Sequence, residues 1–138
     1  MKKIVVIDAQ GGGLGKQLIT NIKEELEDVR IIAVGTNSIA TSAMLKAGAD
    51  VAATGENAVA VNARDADIIV GPIGIIIADA MYGEVTPTIA NAVSSSSAKK
   101  VLIPFNQYEI FIVGVQEQNV KAFVKETIEQ LKKVLKEG

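Results

Sequence analysis

Four glycines in five positions follow a short apolar run in Ile4-Val5-Val6-Ile7-Asp8-Ala9-Gln10-Gly11-Gly12-Gly13-Leu14-Gly15-Lys16. A strand that passes through glycines into a helix presents backbone amides at the positive end of the helix dipole, and that is the chemistry of anion binding. The candidate contacts are Asp8, Gln10, Gly11, Gly12, Gly13, Leu14, Gly15 and Lys16, with Lys16 the only cation among them. A turn tolerates glycine for backbone reasons, but each one costs chain entropy, so four exceed what a turn needs. Two further stretches offer small and neutral donor residues, Gly35-Thr36-Asn37 (with Ser38) and Gly71-Pro72-Ile73-Gly74.

Acids available to the same region are Asp8, Glu56, Asp79 and Glu84. Two carboxylates can share acid and base work if one is desolvated. The plainer expectation is that Asp8 holds loop amides and Glu56 favours the first turn of a helix. Histidine and cysteine are both absent, which removes disulfides, Cys/His zinc sites, cysteine nucleophiles and a Ser-His-Asp triad. No metal site is expected.

Three phosphate-loop patterns compete, and each fails at specific residues. In the dinucleotide pattern G-x-G-x-x-G, Gly12 and Gly15 fit as second and third glycines but Gln10 stands first. A short-chain dehydrogenase pattern fits Gly13 and Gly15, yet Ala9 takes its first glycine and no Tyr-x-x-x-Lys pair follows. The pattern G-x-x-x-x-G-K-[ST] fits Gly15-Lys16 but has Gln17 where a hydroxyl must hold magnesium. NAD recognition also asks for an acid near the end of the second strand, where this chain has Gly35-Thr36-Asn37. Without that acid, an NADP-like or other adenine nucleotide is the easier ligand. Asn37 and Ser38 serve equally well as caps of the following helix.

These residues need a scaffold, and hydrophobic periodicity supplies it. Strands are expected at Lys3–Ile7, Arg30–Val34, Asp50–Ala53, Asp67–Val70 and Lys100–Phe105. Helices are expected at Leu14–Glu27, from Asn37 or Ser38 to Ala47, to Arg64, from Thr86-Pro87 to Ser96, and at Asn119–Lys136. Strand and helix alternate four times, which makes a three-layer α/β sandwich with a mostly parallel sheet. The short third helix and the Gly71-Pro72 ending favour strand order 3-2-1-4-5 over 2-1-3-4-5. Asn106 to Glu109 are too few for a crossover, so Ile110–Val115 is expected as a sixth, antiparallel edge strand. Asn106 would then reach the ligand rim.

The chain has 138 residues, is 49% apolar but only 4% aromatic, and carries a net charge of −2. One domain over residues 1–138 is expected, with a core of Ile, Val, Leu and Ala. No basic stripe points to nucleic acid, and no apolar run is long enough for a membrane. Two lysines leading straight into a strand make cytoplasm the expected location. Ile73 to Met81 is apolar nearly all round, so it is either buried or the contact of a homodimer.

Several motifs resemble a short bacterial family catalogued as a domain of unknown function. They are the Val-Ile-Asp-x-Gln-Gly-Gly-Gly-x-Gly-Lys core, Gly35-Thr36-Asn37-Ser38-Ile39-Ala40-Thr41-Ser42-Ala43-Met44, Ala53-Thr54-Gly55-Glu56-Asn57-Ala58, Ile69-Val70-Gly71-Pro72-Ile73-Gly74 and Leu102-Ile103-Pro104-Phe105-Asn106. The resemblance covers residues 1 to 115 and implies a Rossmann-like fold without an activity. The loop resembles, more remotely, NAD(P)-binding Rossmann domains. The expected function is binding of a nucleotide or another phosphorylated small molecule at the glycine loop. The alternatives are an assembly protein that pairs through Ile73–Met81 around a loop that binds nothing, and a small NADP-dependent reductase.

Overall fold

The computed structural model describes residues 1–105 and 110–137. Five strands, β1 (Lys2–Asp8), β2 (Val29–Gly35), β3 (Val51–Thr54), β4 (Ile68–Pro72) and β5 (Lys99–Ile103), form one sheet in the order β3-β2-β1-β4-β5. Every neighbouring pair is parallel. The helices are α1 (Gly13–Glu25), α2 (Ser38–Lys46), α3 (Glu56–Arg64), α4 (Pro87–Ser94) and α5 (Val120–Glu137). The expected strand order and α/β class are both present.

β1 is central because Ile4, Val5, Val6 and Ile7 are apolar on both faces and all fully buried. Ile4 and Val6 pack with Leu18, Ile19 and Ile22 of α1, Met44 of α2, and Phe123, Val124 and Ile128 of α5. Val5 and Ile7 pack on the opposite side with Val59 of α3 and with Ile89 and Val93 of α4. Three layers result, with α1, α2 and α5 against one face and α3 and α4 against the other.

Local chemistry starts the helices where it should. Asn37 caps α2 by accepting from the Ala40 amide at 2.9 Å, and Thr86 caps α4 by accepting from the Ile89 amide at 3.1 Å, with Pro87 in the first turn. Among the described residues no helix is long and apolar enough to cross a membrane.

One expectation changes. Ile110–Val115 forms no strand: the chain turns at Val113-Gly114, with Gly114 at φ 88° and the Val115 amide on the Ile112 carbonyl. The short connection after β5 predicts an antiparallel strand there, but Pro104 after β5 has no amide to donate to a ladder, and the Gly114 turn breaks the extended run. Phe111 and Val113 are left exposed. The hairpin turn Asn106–Glu109, with Asn106, lies outside the described residues.

Of the two alternatives for Ile73–Met81, burial holds for part of the stretch. Ile73–Ile76 form a 3-10 turn, Ile75 and Met81 are buried under the α3–α4 layer, and Ile73, Ile76 and Ile77 are half-buried. The apolar character of this stretch therefore largely serves the chain's own core.

Candidate functional site

The carboxyl ends of β1, β2 and β4 meet at one edge of the sheet, where a right-handed α/β fold leaves room for a ligand. Asp8 ends β1 opposite Gly35, which ends β2, and the Thr36 amide donates to the Asp8 carbonyl at 3.1 Å. Gly71 and Pro72 end β4, and Ile73 and Gly74 begin the 3-10 turn beside them. The strand ends Asp8, Gly35 and Gly71-Pro72 thus lie at one edge of the sheet, and Asn106 lies outside the described residues.

Asp8 builds the glycine loop. Its buried carboxylate accepts from the Ala9 amide at 2.8 Å and the Gly15 amide at 2.7 Å, so it satisfies the first turn of α1 from the strand before it. Gly12 closes the turn at φ 74°, with its amide on the Ala9 carbonyl, and a Cβ there would come within 2.8 Å of the Ala40 backbone. Gly15 has no room for a Cβ either, because Met44 of α2 lies against it. These two glycines answer to the fold.

Gly11 and Gly13 do not. Neither has a left-handed φ, and a Cβ on either would meet nothing within 4 Å. The amides of Gly11, Gly13 and Leu14 make no hydrogen bond among the described residues. Gly11, Gly13 and Leu14 border a cavity of about 140 Å³ that is also lined by Pro72, Met81 and Phe105. Its size suits one phosphate-sized group, leaving the rest of a larger ligand along the open sheet edge.

Lys16 stands elsewhere. It is exposed and lines a groove of about 930 Å³ between α1 and α2 with Thr20, Ser38, Ile39, Ser42 and Lys46. A third cavity, about 450 Å³, lies beside β5 and is bordered by Phe123, Glu126 and Thr127 of α5. Among the described residues, no three His, Cys, Asp or Glu side chains are grouped to hold a metal ion.

Glu84 is the residue whose role the sequence hid. It comes from the turn before α4, yet its Oε1 accepts from the Gln10 amide, the Thr36 hydroxyl and the Asn37 side-chain amide, each at 2.8 Å. Asn37 also donates to the Gln10 carbonyl at 2.9 Å, which fixes Gln10 at φ 54°. The donors that seemed available to a 2′-phosphate thus already hold an acid of the protein. The other acids are engaged or set apart: Glu56 accepts from the Thr86 hydroxyl, and Asp79 sits at φ 65° with its amide on the Val85 carbonyl.

The two carboxylates of the site are shifted in opposite directions. Burial pushes Asp8 up; bonds from Gly15 and Ala9 oppose this, and the Glu84 charge adds to it. Burial would raise Glu84 too, but the bonds from Gln10, Thr36 and Asn37 outweigh it and hold Glu84 below its ordinary value. Glu84 therefore contributes stability above the usual glutamate range, and that contribution is lost as pH falls through its lowered value. Asp8 works the other way: its contribution is present in acid and lost as pH rises through its raised value. Glu84→Gln is expected to melt below the parent at neutral pH and to converge with it in acid. Parallel melting curves across that range would remove this account of Glu84.

The family model described as Domain of unknown function (DUF3842) matches residues 3–136. No curated protein matches the sequence. Among solved structures, a dodecameric FMN-dependent UbiX-like decarboxylase from Escherichia coli O157:H7 is 19% identical with a TM-score of 0.44; the match covers 97% of this chain and 76% of that one. A probable oxidoreductase from Mycobacterium abscessus is 21% identical with a TM-score of 0.45, covering 99% of this chain and 44% of that one. An arsenate reductase in an intermediate state is 14% identical, with a TM-score of 0.43 and full coverage of both chains.

Proposed function

We propose that this chain, which belongs to the DUF3842 family, binds a nucleotide or a similar phosphorylated small molecule at the loop between β1 and α1. One observation carries the reading. The amides of Gly11, Gly13 and Leu14 have no partner among the described residues, and these residues border a cavity at the start of a 13-residue helix. Two of those residues are glycines for which neither backbone dihedral nor packing gives a reason. A glycine where a side chain would fit costs the fold extra chain entropy. Close approach of a ligand to the backbone accounts for that cost.

Asp8 positions the loop rather than touching the ligand, since both of its oxygens are bonded to loop amides. Gly35, Thr36 and Asn37 shape the β2 side of the rim, and Pro72 with Met81 closes the β4 side. Lys16 is outside the proposed contact set because it borders the α1–α2 groove instead. Pairing of two copies through Ile73–Met81 has little to support it, with Ile75 and Met81 buried.

Calorimetry with ADP and adenosine tests the reading. ADP is expected to bind at least about tenfold more tightly, on the scale of one or two charge-assisted hydrogen bonds. Lys16→Ala should change the ADP affinity less than about twofold, as befits a solvated surface charge. Equal affinity for ADP and adenosine would overturn a phosphate site at this loop.

A further inference from the structure

We infer that Glu84 is the group that receives the ligand's sugar, and that it selects an unphosphorylated vicinal diol. This rests on the nucleotide reading above and specifies its ligand. Three donors converge on Oε1 of Glu84, from Gln10, Thr36 and Asn37, and so anchor the carboxylate at the end of β2 beside the glycine loop. Its Oε2 has no hydrogen-bond partner among the described residues, so it is left to accept from outside. An ionised carboxylate only accepts, so it binds a ligand's donors, and the hydroxyl pair of a sugar is such a donor set.

The place matters as much as the group. In dinucleotide-binding sheets an acid at the end of the second strand accepts from the ribose hydroxyls, while the pyrophosphate lies on the first helix. β2 of this chain ends in Gly35 and is followed by Thr36-Asn37, with no acid. The segment between β4 and α4 delivers one to the same spot, across 74 positions of sequence from Gln10. A phosphate on the 2′ position would find these donors occupied and meet a negative charge.

The segment that carries Glu84 is built to hold it. Asp79, Met81 and Tyr82 take φ values of 65°, 58° and 57°, followed by Gly83 at 88°. Left-handed residues other than glycine persist only where the surroundings enforce them. Here the enforcement comes from the Asp79 amide on the Val85 carbonyl at 2.7 Å, the Val85 amide on the Ala80 carbonyl at 3.2 Å, and burial of Ala80, Met81 and Val85.

Calorimetry with ADP-ribose, its 2′-deoxy analogue and its 2′-phosphate decides the matter. The protein is expected to bind ADP-ribose about tenfold or more tightly than either relative, because one lacks the hydroxyl and the other brings a like charge. In Glu84→Gln the discrimination against the 2′-phosphate should shrink to less than about threefold. The 2′-deoxy comparison needs no variant, so it stands even if Glu84→Gln folds poorly. Equal binding of ADP-ribose and its 2′-deoxy analogue, or tighter binding of the 2′-phosphate, would overturn the role of Glu84 while leaving the phosphate site intact. Failure of all three to bind would overturn the nucleotide reading itself, and this inference with it.

Discussion

Replacing Gly13 by aspartate is expected to abolish ADP binding while leaving the melting temperature unchanged or slightly raised. A Cβ at position 13 enters open space, and the glycine there has no left-handed φ, so the substitution meets no clash inside the protein. Gly13 is the first residue of α1, where a non-glycine residue gains about 0.5–1 kcal/mol and an acidic one up to about 1 kcal/mol more from the dipole. The new carboxylate would compete for the free amides around it and repel a bound phosphate. Loss of one or two charge-assisted bonds together with that repulsion amounts to about 2–4 kcal/mol, or roughly a 30-fold to 1,000-fold weaker affinity. Thermal melting and ADP titration on the same preparation check both halves. Unchanged ADP affinity in a normally melting Gly13→Asp protein would place the ligand elsewhere.

The opposite pattern is expected at Gly71. Its added Cβ would lie 2.4 Å from the Ile7 carbonyl oxygen and 3.0 Å from Cδ1 of Ile75. The first contact is backbone of the central strand, which cannot rotate away as a side chain can. β1 and β4 would have to separate at the point where both lead into the ligand rim. Overpacking of this kind costs about 1–3 kcal/mol and more when backbone must move, so Gly71→Val is expected to lose about 3 kcal/mol or more. For a chain of this length that lowers the melting temperature by about 10 °C. A Gly71→Val protein that melts with the parent would contradict the close approach of the two strands. Together the two glycines separate what binding requires from what the sheet requires.

Much of the scaffold is legible in the sequence because its causes are local. Ile4-Val5-Val6-Ile7 reads as a strand buried on both faces, Asn37 and Thr86-Pro87 read as helix starts, and each proves to be so. Right-handed crossovers then restrict how alternating strands and helices can be arranged. The order 3-2-1-4-5 follows from that restriction and from where the short helix and the Gly71-Pro72 ending fall. Ile110–Val115 misled for a related reason. An apolar run after a short connection is a property of the chain, whereas a strand needs a partner ladder, and residues 110–115 turn at Gly114 instead.

The sequence by itself thus determined the α/β class and the sheet order, because periodicity, caps and glycine turns act between near neighbours. Only the tertiary structure decided what the individual loop residues do. Gly12 and Gly15 prove necessary because α2 packs on them, whereas Gly11 and Gly13 face open space, and no glycine pattern distinguishes the two pairs. Lys16 sits beside the glycines in sequence but turns toward α2, since helix geometry sends successive side chains to different faces. Glu84, dozens of residues away, reaches Gln10, Thr36 and Asn37 because the β4–α4 connection folds over the same sheet edge. The acid that β2 lacks is supplied by a contact between segments far apart in the chain, and such a contact exists only once the sheet has brought them together.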